Sequence, residues 1–276
     1  MRLRTDGNDL VPLRLSPTFR AALAASDRAL AGMWVCSGSA TVTEIAAGSG
    51  LDWLLIDMEH SAISLETVLV QLQVAAAYPV TPVVRVPWND PVLIKQVLDA
   101  GAQNLIVPMI SSADEARSAV AATRYPPAGI RGVGSALARS ARWNRVDDYL
   151  ATAGEHVSLT VQIETVAGVA AAADIAAVEG VDAVFVGPSD LSASMGLLGQ
   201  QTHPEVVAAV HAVFAACRDA GTPVGVNAFD PAVAEAYLDA GADFVAVGAD
   251  VALLARASEA LAARFVTGRA GHRDSY

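Results

Sequence analysis

The chain has 276 residues, of which 53% are hydrophobic, and a formal net charge of −11. This length suits one large α/β domain or two small ones, and the acidic balance argues against a nucleic-acid surface. No apolar stretch reaches the ~18–20 residues of a membrane span, and the N-terminal segment has no apolar signal-peptide core. The two cysteines, Cys36 and Cys217, lack metal-ligand spacing; a reduced pair of this kind is typical of a cytoplasmic protein.

Short β-rich runs alternate with segments of helical periodicity along the chain. The predicted strands are residues 33–36, 53–56, 83–86, 105–107, 158–163, 183–186, 224–226 and 244–247. The helix-start signals are Ser64, the pairs Asp90-Pro91 and Asp230-Pro231, and the capping-box spacing from Ser112 to Glu115. Ala-Gly pairs at 100–101 and 240–241 predict the ends of two helices.

Eight β-runs alternating with helices predict parallel strands, and about 250 residues for eight units is the size of a closed (β/α)8 barrel. An internal repeat fits this fold, since residues 82–108 and 223–248 share a strand, an Asp-Pro cap, an Asp-Ala-Gly-Ala stop and a second strand. The alternative interpretation is that these two segments are similar only because any two strand–helix–strand units look alike to some degree. We expect one TIM-barrel domain at 17–266, a loose N-terminal arm at 1–16 and a polar tail at 267–276.

Polar residues follow most of the predicted strands. The apolar run 54–56 breaks directly into Asp57, Met58, Glu59 and His60. The other residues at strand ends are Ser37, Arg85, Pro108 with Met109, Gln162 with Glu164, the run Gly187, Pro188, Ser189 and Asp190, then Asn227 and Gly248. The carboxyl ends of barrel strands and the loops after them form the active-site face. We therefore expect these side chains to converge on one mouth of the barrel.

The strand SLTVQIE, residues 158–164, indicates a buried carboxylate. Its period of two places Gln162 and Glu164 on the inward face, near the top of the barrel. A carboxylate there is costly unless its charge is compensated. Glu164 and Asp190 come from neighbouring strands without Cys or His beside them, a pattern that suits a hard divalent ion. An ion pair with a nearby arginine is the plainer alternative.

His60 and Arg85 are candidates for acid–base and anion-binding roles. A histidine after a strand is often a solvated loop residue, but Asp57 three residues earlier could orient the imidazole and raise its basicity. Arg85 lies inside the apolar strand VVRVP, where a buried guanidinium is explained by a carboxylate or enolate partner. Glu59 fits either a supporting role or an ion pair with Arg85.

Lys95 is the only lysine of the chain, and it falls within a helical segment. A barrel aldolase that works through a Schiff base needs a lysine on a strand facing the pocket. Carbonyl chemistry in this protein would therefore use a metal ion as the electrophile. Glycines at 129, 132 and 134 do not follow a strand in dinucleotide-binding register, so no nucleotide cofactor is expected.

Over residues 32–265 the sequence resembles the HpcH/HpaI aldolases, which are class II, metal-dependent pyruvate aldolases. The resemblance rests on DWLLIDMEH, PVVRVP, IKQVLDAGAQ, RYPPAGIRGVGSALARSARWNR, VQIET, EGVDAVFVGPSDLSASMG, HPEV and FVAVG. It implies a (β/α)8 barrel of the phosphoenolpyruvate/pyruvate type and a homohexamer, a trimer of dimers that exchange the last helix. It also implies reversible cleavage of a 4-hydroxy-2-oxo acid to pyruvate and an aldehyde, for example 4-hydroxy-2-oxoheptanedioate to succinic semialdehyde, in aromatic compound catabolism.

The family's functional residues map onto this sequence motif by motif. The resemblance implies metal ligands at Glu164 and Asp190, a catalytic pair at His60 and Asp57, and a pyruvate-binding arginine at Arg85. It further implies substrate contacts from Gln162, Gly187, Pro188 and Ser189, and an interface aspartate at Asp99. Met58 and Ser189 stand where the commoner motif has glycine and alanine, and the segment 227–230 departs from the usual pattern. The implied cofactor is Mg²⁺, Mn²⁺ or Co²⁺.

Alternatives to this activity are a 2-keto-3-deoxy sugar-acid aldolase of the same family, a coenzyme A thioester lyase of the citrate lyase β type, and a non-catalytic barrel. The arginine-rich stretch 124–145 fits a subunit interface or solvated lid better than a site that binds the far carboxylate of a substrate, because arginine is common at interfaces.

The implied mechanism combines a metal Lewis acid, enolate stabilisation by Arg85 and removal of the C4 hydroxyl proton by His60.

Overall fold

The computed structural model describes Leu13 and residues 15–267. Within them eight parallel strands close into a barrel in sequence order, β1 to β8, so the predicted TIM barrel is confirmed. The strands are β1 Leu30–Val35, β2 Trp53–Asp57, β3 Thr81–Arg85, β4 Asn104–Val107, β5 Ser158–Ile163, β6 Ala183–Val186, β7 Val224–Asn227 and β8 Phe244–Ala249. Every predicted strand is present, with ends that differ by up to three residues. Most of the arm and tail expected at 1–16 and 267–276 lies outside the described residues.

Helices surround the barrel and connect its strands. They are α1 Phe19–Ala25, α2 Ala40–Ala47, α3 Leu65–Ala75, α4 Pro91–Asp99, α5 Ala113–Thr123, α6 Tyr149–Thr152, α7 Val166–Ala170, α8 Ala172–Ala176, α9 Pro188–Ser194, α10 Pro204–Ala220, α11 Pro231–Asp239 and α12 Asp250–Ala262. Short 3-10 turns occur at Arg139–Ala141 and Ala153–His156, and a π-turn at Ala263–Thr267. Across the described part of the chain, no helix combines the length and apolarity needed to cross a bilayer.

Local sequence signals set most of the helix starts. Ser64 accepts a hydrogen bond from the N–H of Thr67, and Asp90 and Asp230 each accept two at the starts of α4 and α11. Ser112 caps α5 through the N–H of Glu115, as predicted. The reciprocal half of that capping box differs, because the Glu115 carboxylate takes the N–H of Ser111, one residue outside the cap.

The internal repeat corresponds to two equivalent units of the barrel, β3–α4–β4 and β7–α11–β8. Each helix begins at an Asp-Pro pair and ends before a glycine, Gly101 or Gly241, with φ near +100°. That backbone conformation is strained for residues with a Cβ, which explains the Ala-Gly stop in both copies.

One large apolar cluster lies between the strands and the surrounding helices, and another lies inside the barrel. The outer cluster packs strand residues such as Leu159, Val161 and Ile163 against the helices, as the alternation of β5 predicts. The inner cluster is Phe19, Leu30, Trp34, Trp53, Leu55, Val83, Ile106, Ala183, Phe185, Phe244, Ala246 and Ala249. Because apolar side chains fill the barrel interior, polar groups collect at the carboxyl ends of the strands.

Candidate active site

A cavity of about 470 Å³ opens at the carboxyl ends of the strands. The predicted residues that line it are Asp57, His60, Arg85, Gln162, Gly187, Pro188, Ser189, Asp190 and Asn227. Glu164 is not part of this lining, but it accepts a hydrogen bond from Gln162 and lies close to Gly187, and Glu59 contacts Arg85. Asp99 lies elsewhere, at the end of α4, where it accepts a hydrogen bond from Arg131 at 3.0 Å. The structure therefore brings together the predicted site residues other than Asp99.

Arg85 is fixed from three sides. It ends β3 directly opposite Asp57 at the end of β2. Its Nε donates to Asp57 Oδ1 at 2.8 Å, its Nη1 lies 2.8 Å from Glu59 Oε2, and its guanidinium lies 4.2 Å from the centroid of the Trp34 ring. Only 4% of the residue is exposed. A guanidinium held this way is pre-organised to bind a planar anion with its remaining N–H groups.

The Asp57 carboxylate accepts hydrogen bonds from the backbone of its own turn as well as from Arg85. Its carboxylate accepts the N–H groups of Glu59 and His60 at 3.0 and 3.3 Å. Burial by itself raises the pKa of Asp57, but the hydrogen bond and charge of Arg85, with those two N–H groups, hold the pKa below its usual value. The expected contact between Asp57 and the His60 ring is not formed, because the turn directs the carboxylate to backbone donors.

The imidazole of His60 has Glu59 as its carboxylate neighbour. Its Nε2 lies 3.8 Å from Glu59 Oε2, and 64% of the His60 side chain is exposed at the cavity mouth. Burial, opposed by Arg85 and reinforced by Asp57 and Asp190, raises the pKa of Glu59 to about 7. The neighbouring Met58 packs against the outer apolar cluster, which accounts for an apolar residue at that position.

Glu164 is a buried carboxylate, 1% exposed, just beyond the end of β5. It accepts hydrogen bonds from the Met109 N–H at 2.8 Å and from the Gln162 amide. Met109 has a φ of 59°, a strained value for a residue with a long side chain, and this conformation directs its N–H to Glu164. Burial, followed by the charges of Glu59 and Asp190, raises the pKa of Glu164 to about 7.

Gly187 makes room for the Glu164 carboxylate. A Cβ at Gly187 would lie 2.7 Å from Glu164 Oε2 and 3.0 Å from Gln162 Nε2. Asp190 follows in the first turn of α9 and interacts electrostatically with both Glu164 and Glu59. Glu59, Glu164 and Asp190 thus repel one another, and within residues 15–267 Arg85 pairs with Glu59 and not with Glu164 or Asp190.

This donor set fits a divalent cation. Within residues 15–267, no salt bridge involves Glu164, and Gln162 Oε1 is buried without a hydrogen-bond partner. Carboxylate and amide oxygens are the ligands that hard cations prefer. The same residues contain no group of three or more His, Cys, Asp or Glu side chains arranged as a complete metal site. Two carboxylates would leave coordination positions open for a substrate.

Sequence reasoning missed the apolar and C-terminal lining of the cavity. These residues are Trp34, Cys36, Phe185, Phe229, Ala249, Val251, Ala252, Ala255 and Arg256. The Trp34 Nε1 donates to Asn227 Oδ1 at 2.7 Å, which ties the end of β7 to the ring under Arg85. Asp250 was also missed, although it accepts the N–H groups of Cys36 and Ser37. Its position directly after the last strand was the available signal.

The arginines of the stretch 124–145 do not line this cavity. Arg131 is buried against Asp99 and the Tyr125 ring, with its guanidinium 4.7 Å from the ring centroid. Arg139 and Arg142 lie at the opposite end of the barrel. Lys95 is on α4, and the cavity lining does not include it.

Comparison with known proteins agrees with this geometry. A family model described as HpcH/HpaI aldolase/citrate lyase matches residues 30–257. A 4-hydroxy-2-oxo-heptane-1,7-dioate aldolase from Shigella sonnei is 56% identical over 90% of this chain and 94% of its own length. The protein of the same name from Escherichia coli is 55% identical with the same coverage.

Solved structures include a similar barrel. The crystal structure of an HpcH/HpaI aldolase/citrate lyase family protein from Burkholderia cenocepacia has a TM-score of 0.85 and 43% identity, covering 89% of this chain and 97% of that one. The family model spans most of the chain, and the relatives exceed half identity over nearly their full length. As its sequence motifs predict, this chain belongs to the HpcH/HpaI aldolase/citrate lyase family.

Proposed function

We propose that this chain is a class II aldolase that reversibly cleaves a 4-hydroxy-2-oxo acid to pyruvate and an aldehyde, with 4-hydroxy-2-oxoheptanedioate and succinic semialdehyde as its pair. The predicted enzyme class, a carbon–carbon lyase, is confirmed by the curated relatives and the family. The observation that carries the proposal is the buried Glu164, which forms no salt bridge within residues 15–267 and is held by Gln162 at the cavity that Arg85 also lines. Acidic residues that can hold a cation, together with a pre-organised guanidinium, suit a substrate whose oxygens are bound by both the cation and the arginine.

We assign the metal to Glu164 and Asp190. Divalent-metal dependence is general in this family, and hard oxygen donors suit Mg²⁺, Mn²⁺ or Co²⁺. When bound, the ion supplies Lewis-acid polarisation of a carbonyl oxygen. Gln162 and Met109 hold the Glu164 carboxylate in place, and Gly187 leaves room for it. Pro188 and Ser189 form the adjacent cavity wall that a substrate would contact.

Arg85 stabilises the negative charge that develops on the pyruvyl group. Asp57, Glu59 and Trp34 hold its guanidinium still, so little reorganisation is needed as charge builds on the substrate. When the C3–C4 bond breaks, its electron pair passes to the pyruvyl part as an enolate. The N–H groups of Arg85 that face the cavity donate to that anion.

His60 removes the proton of the C4 hydroxyl, directly or through a water molecule, as the aldehyde carbonyl forms. Its exposed imidazole at the cavity mouth can reach a substrate, and Glu59 beside it stabilises the imidazolium. Asp57 acts through the backbone, by fixing the turn that carries His60. In the synthetic direction His60 returns the proton to the new hydroxyl.

A Schiff base is not part of this mechanism, because Lys95 is the only lysine and it lies on an outer helix. No nucleotide cofactor is involved. We place the enzyme in the cytoplasm, in keeping with its two free cysteines. We also propose a homo-oligomer, because α12 exposes Leu253, Leu254 and Leu261 by 60% or more each; its size, a hexamer built as a trimer of dimers, is what the family resemblance implies.

Chelation tests the metal requirement. We expect EDTA to abolish aldol cleavage and Mg²⁺, Mn²⁺ or Co²⁺ to restore it. Glu164→Gln and Asp190→Asn should each weaken metal binding, since a neutral amide leaves the charge of the ion uncompensated. Glu179→Gln, on the exposed surface, is the matched control. Activity that survives thorough chelation, or enzyme trapped by borohydride with pyruvate, would contradict the assignment.

Substrate comparison tests the reaction. Cleavage of 4-hydroxy-2-oxoheptanedioate should exceed cleavage of 2-keto-3-deoxy sugar acids, and acetyl-CoA with malate-like acids should not react. Preferential turnover of the sugar acids or of a thioester would replace the proposed substrate with that class.

Two variants test the separate roles of Arg85 and His60. Arg85→Lys keeps a charge but loses the planar fork, so cleavage and pyruvate C3 deuterium exchange should both fall, on the order of 100-fold. His60→Ala should damage cleavage more than exchange, because exchange needs no C4 hydroxyl. Equal damage to both reactions in His60→Ala would assign His60 to the enolate step instead.

A further inference from the structure

A second cavity, of about 400 Å³, lies at the amino-terminal end of the barrel, opposite the candidate active site. It is enclosed by α1, the end of α3, the starts of β3 and β4, and the turn at 139–142. Its apolar wall is Ala21, Ala22, Ala25, Leu72, Ala75, Ala76, Pro79, Val80 and Pro82. Arg139 and Arg142 also line it, together with the polar residues Ser16, Tyr78, Thr81, Gln103 and Asn104. This volume falls within the range of small-molecule sites.

The two arginines in this cavity have no acidic partner within residues 15–267. Arg139 Nη1 donates to the carbonyl of Ala100 at 3.3 Å, and Arg142 Nη1 donates to the carbonyl of Arg139 at 2.5 Å. Other arginines at the same end of the barrel are paired. Arg20 contacts Asp182 at 2.8 Å and Arg28 contacts Asp52 at 2.7 Å.

The backbone holds both guanidinium groups at the cavity. Arg142, Trp143 and Asn144 are consecutive residues with φ of 49°, 56° and 60°, which costs of order 1 kcal/mol for each residue. Hydrogen bonds from the N–H groups of Trp143 and Arg145 to the carbonyls of Ala138 and Ala141 hold this turn.

Gly101 allows the close approach of the Arg139 side chain. A Cβ at Gly101 would lie 2.5 Å from Arg139 Nη1. Both arginines are half-buried. Burial, followed by the charge of Arg142, lowers the pKa of Arg139, and burial also lowers that of Arg142. Two cations that share one partly dehydrated cavity are stabilised when an anion binds between them.

We propose that this amino-terminal cavity binds a small organic anion, with its carboxylate or phosphate group on Arg139 and Arg142 and its apolar body against Leu72 and Ala75. An anion with both parts fits better than a free inorganic ion, because most of the residues that line the cavity beside the two arginines are apolar. The site is separate from the candidate active site, since the two cavities have no lining residue in common.

Isothermal titration of the full-length protein at constant ionic strength tests this site. The probes are benzoate, succinate and inorganic phosphate, which separate the carboxylate and phosphate sources of the anionic group. We expect an organic anion to bind the wild type and to bind Arg139→Gln/Arg142→Gln about tenfold more weakly or worse. Arg117→Gln, which removes an exposed arginine elsewhere, should bind like the wild type.

Two further variants keep both arginines. Ala76→Glu adds a carboxylate to the cavity wall at an exposed position, so it should compete with the anion and abolish binding. Ala77→Glu adds the same charge one residue further on, outside the cavity lining, and should leave binding unchanged. Arg85→Lys should bind the anion normally, because the catalytic cavity is not involved. Cleavage by the two amino-terminal cavity variants should match the wild type in the absence of the probe.

Several results would overturn the proposal. One is failure of all three probes to bind the wild type at millimolar concentration. Another is equal binding by the wild type and both cavity variants, or loss of binding in Arg85→Lys alone. A change of oligomeric state by sedimentation in Arg139→Gln/Arg142→Gln, without anion binding by the wild type, would assign the arginines to a subunit interface instead.

Discussion

Gly187 shows how a single residue shapes the Glu164 site. Its φ of −102° is open to other residues, so the space it leaves is its contribution. In Gly187→Ala the new Cβ would press on Glu164 Oε2 at 2.7 Å, and the carboxylate would have to move. We expect metal affinity to fall at least tenfold, the usual effect of disturbing a ligand's support. Isothermal titration with Mn²⁺ measures this. Gly248→Ala, with nothing within 4 Å of its Cβ, is the control.

The raised pKa of Glu164 predicts how stability depends on pH without metal. The pKa is about 7 in the folded protein and 4.5 in the unfolded chain, so the folded state binds the proton more tightly. This contribution is complete below pH 4.5 and is lost as pH rises to about 7, with an upper limit of about 3 kcal/mol.

Glu164→Gln tests that pH dependence. The variant mimics the protonated acid, so in EDTA at pH 8 it should unfold at a higher urea concentration than the wild type. The order should reverse with saturating Mg²⁺, which stabilises only the protein that binds it. A wild type that is more stable than Glu164→Gln in EDTA at pH 8 would mean that the buried charge is already compensated.

The aspartate caps at the starts of α4 and α11 are local sequence features that should stabilise the fold. Asp90 Oδ1 accepts the N–H groups of Val92 and Leu93 at 2.8 and 2.9 Å. Asp90→Ala leaves both donors without a partner, so the free energy of unfolding should fall by about 1 kcal/mol. Asp90→Asn retains an acceptor and should lose much less. Urea denaturation of both variants provides the comparison, and equal losses would indicate that the charge, and not the hydrogen bonds, is what matters.

The whole molecule is a barrel with two different ends. Phe19 of α1 fills the amino-terminal end, with its ring 5.1 Å from that of Phe244 and 5.4 Å from that of Trp53. Its backbone N–H donates to Asn104 Oδ1, which ties α1 to the start of β4. The proposed catalytic groups lie at the other end, so we expect stability and activity to respond to different substitutions.

Phe19→Ala tests this separation. Removing a fully buried ring should lower the free energy of unfolding by about 3–5 kcal/mol. The kcat of aldol cleavage, measured well below the unfolding transition, should stay close to that of the wild type. Val70→Ala, on the exposed face of α3, is the stability control. A large fall in kcat for folded Phe19→Ala would show that the two ends are coupled.

Much of the fold was predictable because its signals are local. The Asp-Pro caps, the Ala-Gly stops and the alternation in SLTVQIE each depend on a few neighbouring residues, and the structure forms all three as expected. The strand-end rule then predicted that Asp57, Arg85, Gln162 and Asp190 would meet, because parallel strands in a closed barrel end at one mouth. The domain limits in the arm and tail, and the roles of the site residues, stay predictions.

The sequence by itself determined the barrel, its family and the set of polar residues at its mouth. Only the tertiary structure decided which of them touch. Asp57 points to backbone N–H groups while Glu59 faces the His60 ring, and Trp34 lies under Arg85 from a strand more than fifty positions away. The tertiary structure also places Arg139 and Arg142 at the amino-terminal end of the barrel, opposite the candidate active site. Contacts between distant segments depend on side-chain direction and on which acceptors the N–H groups of a turn bind. Neither can be inferred from the spacing of residues along the sequence.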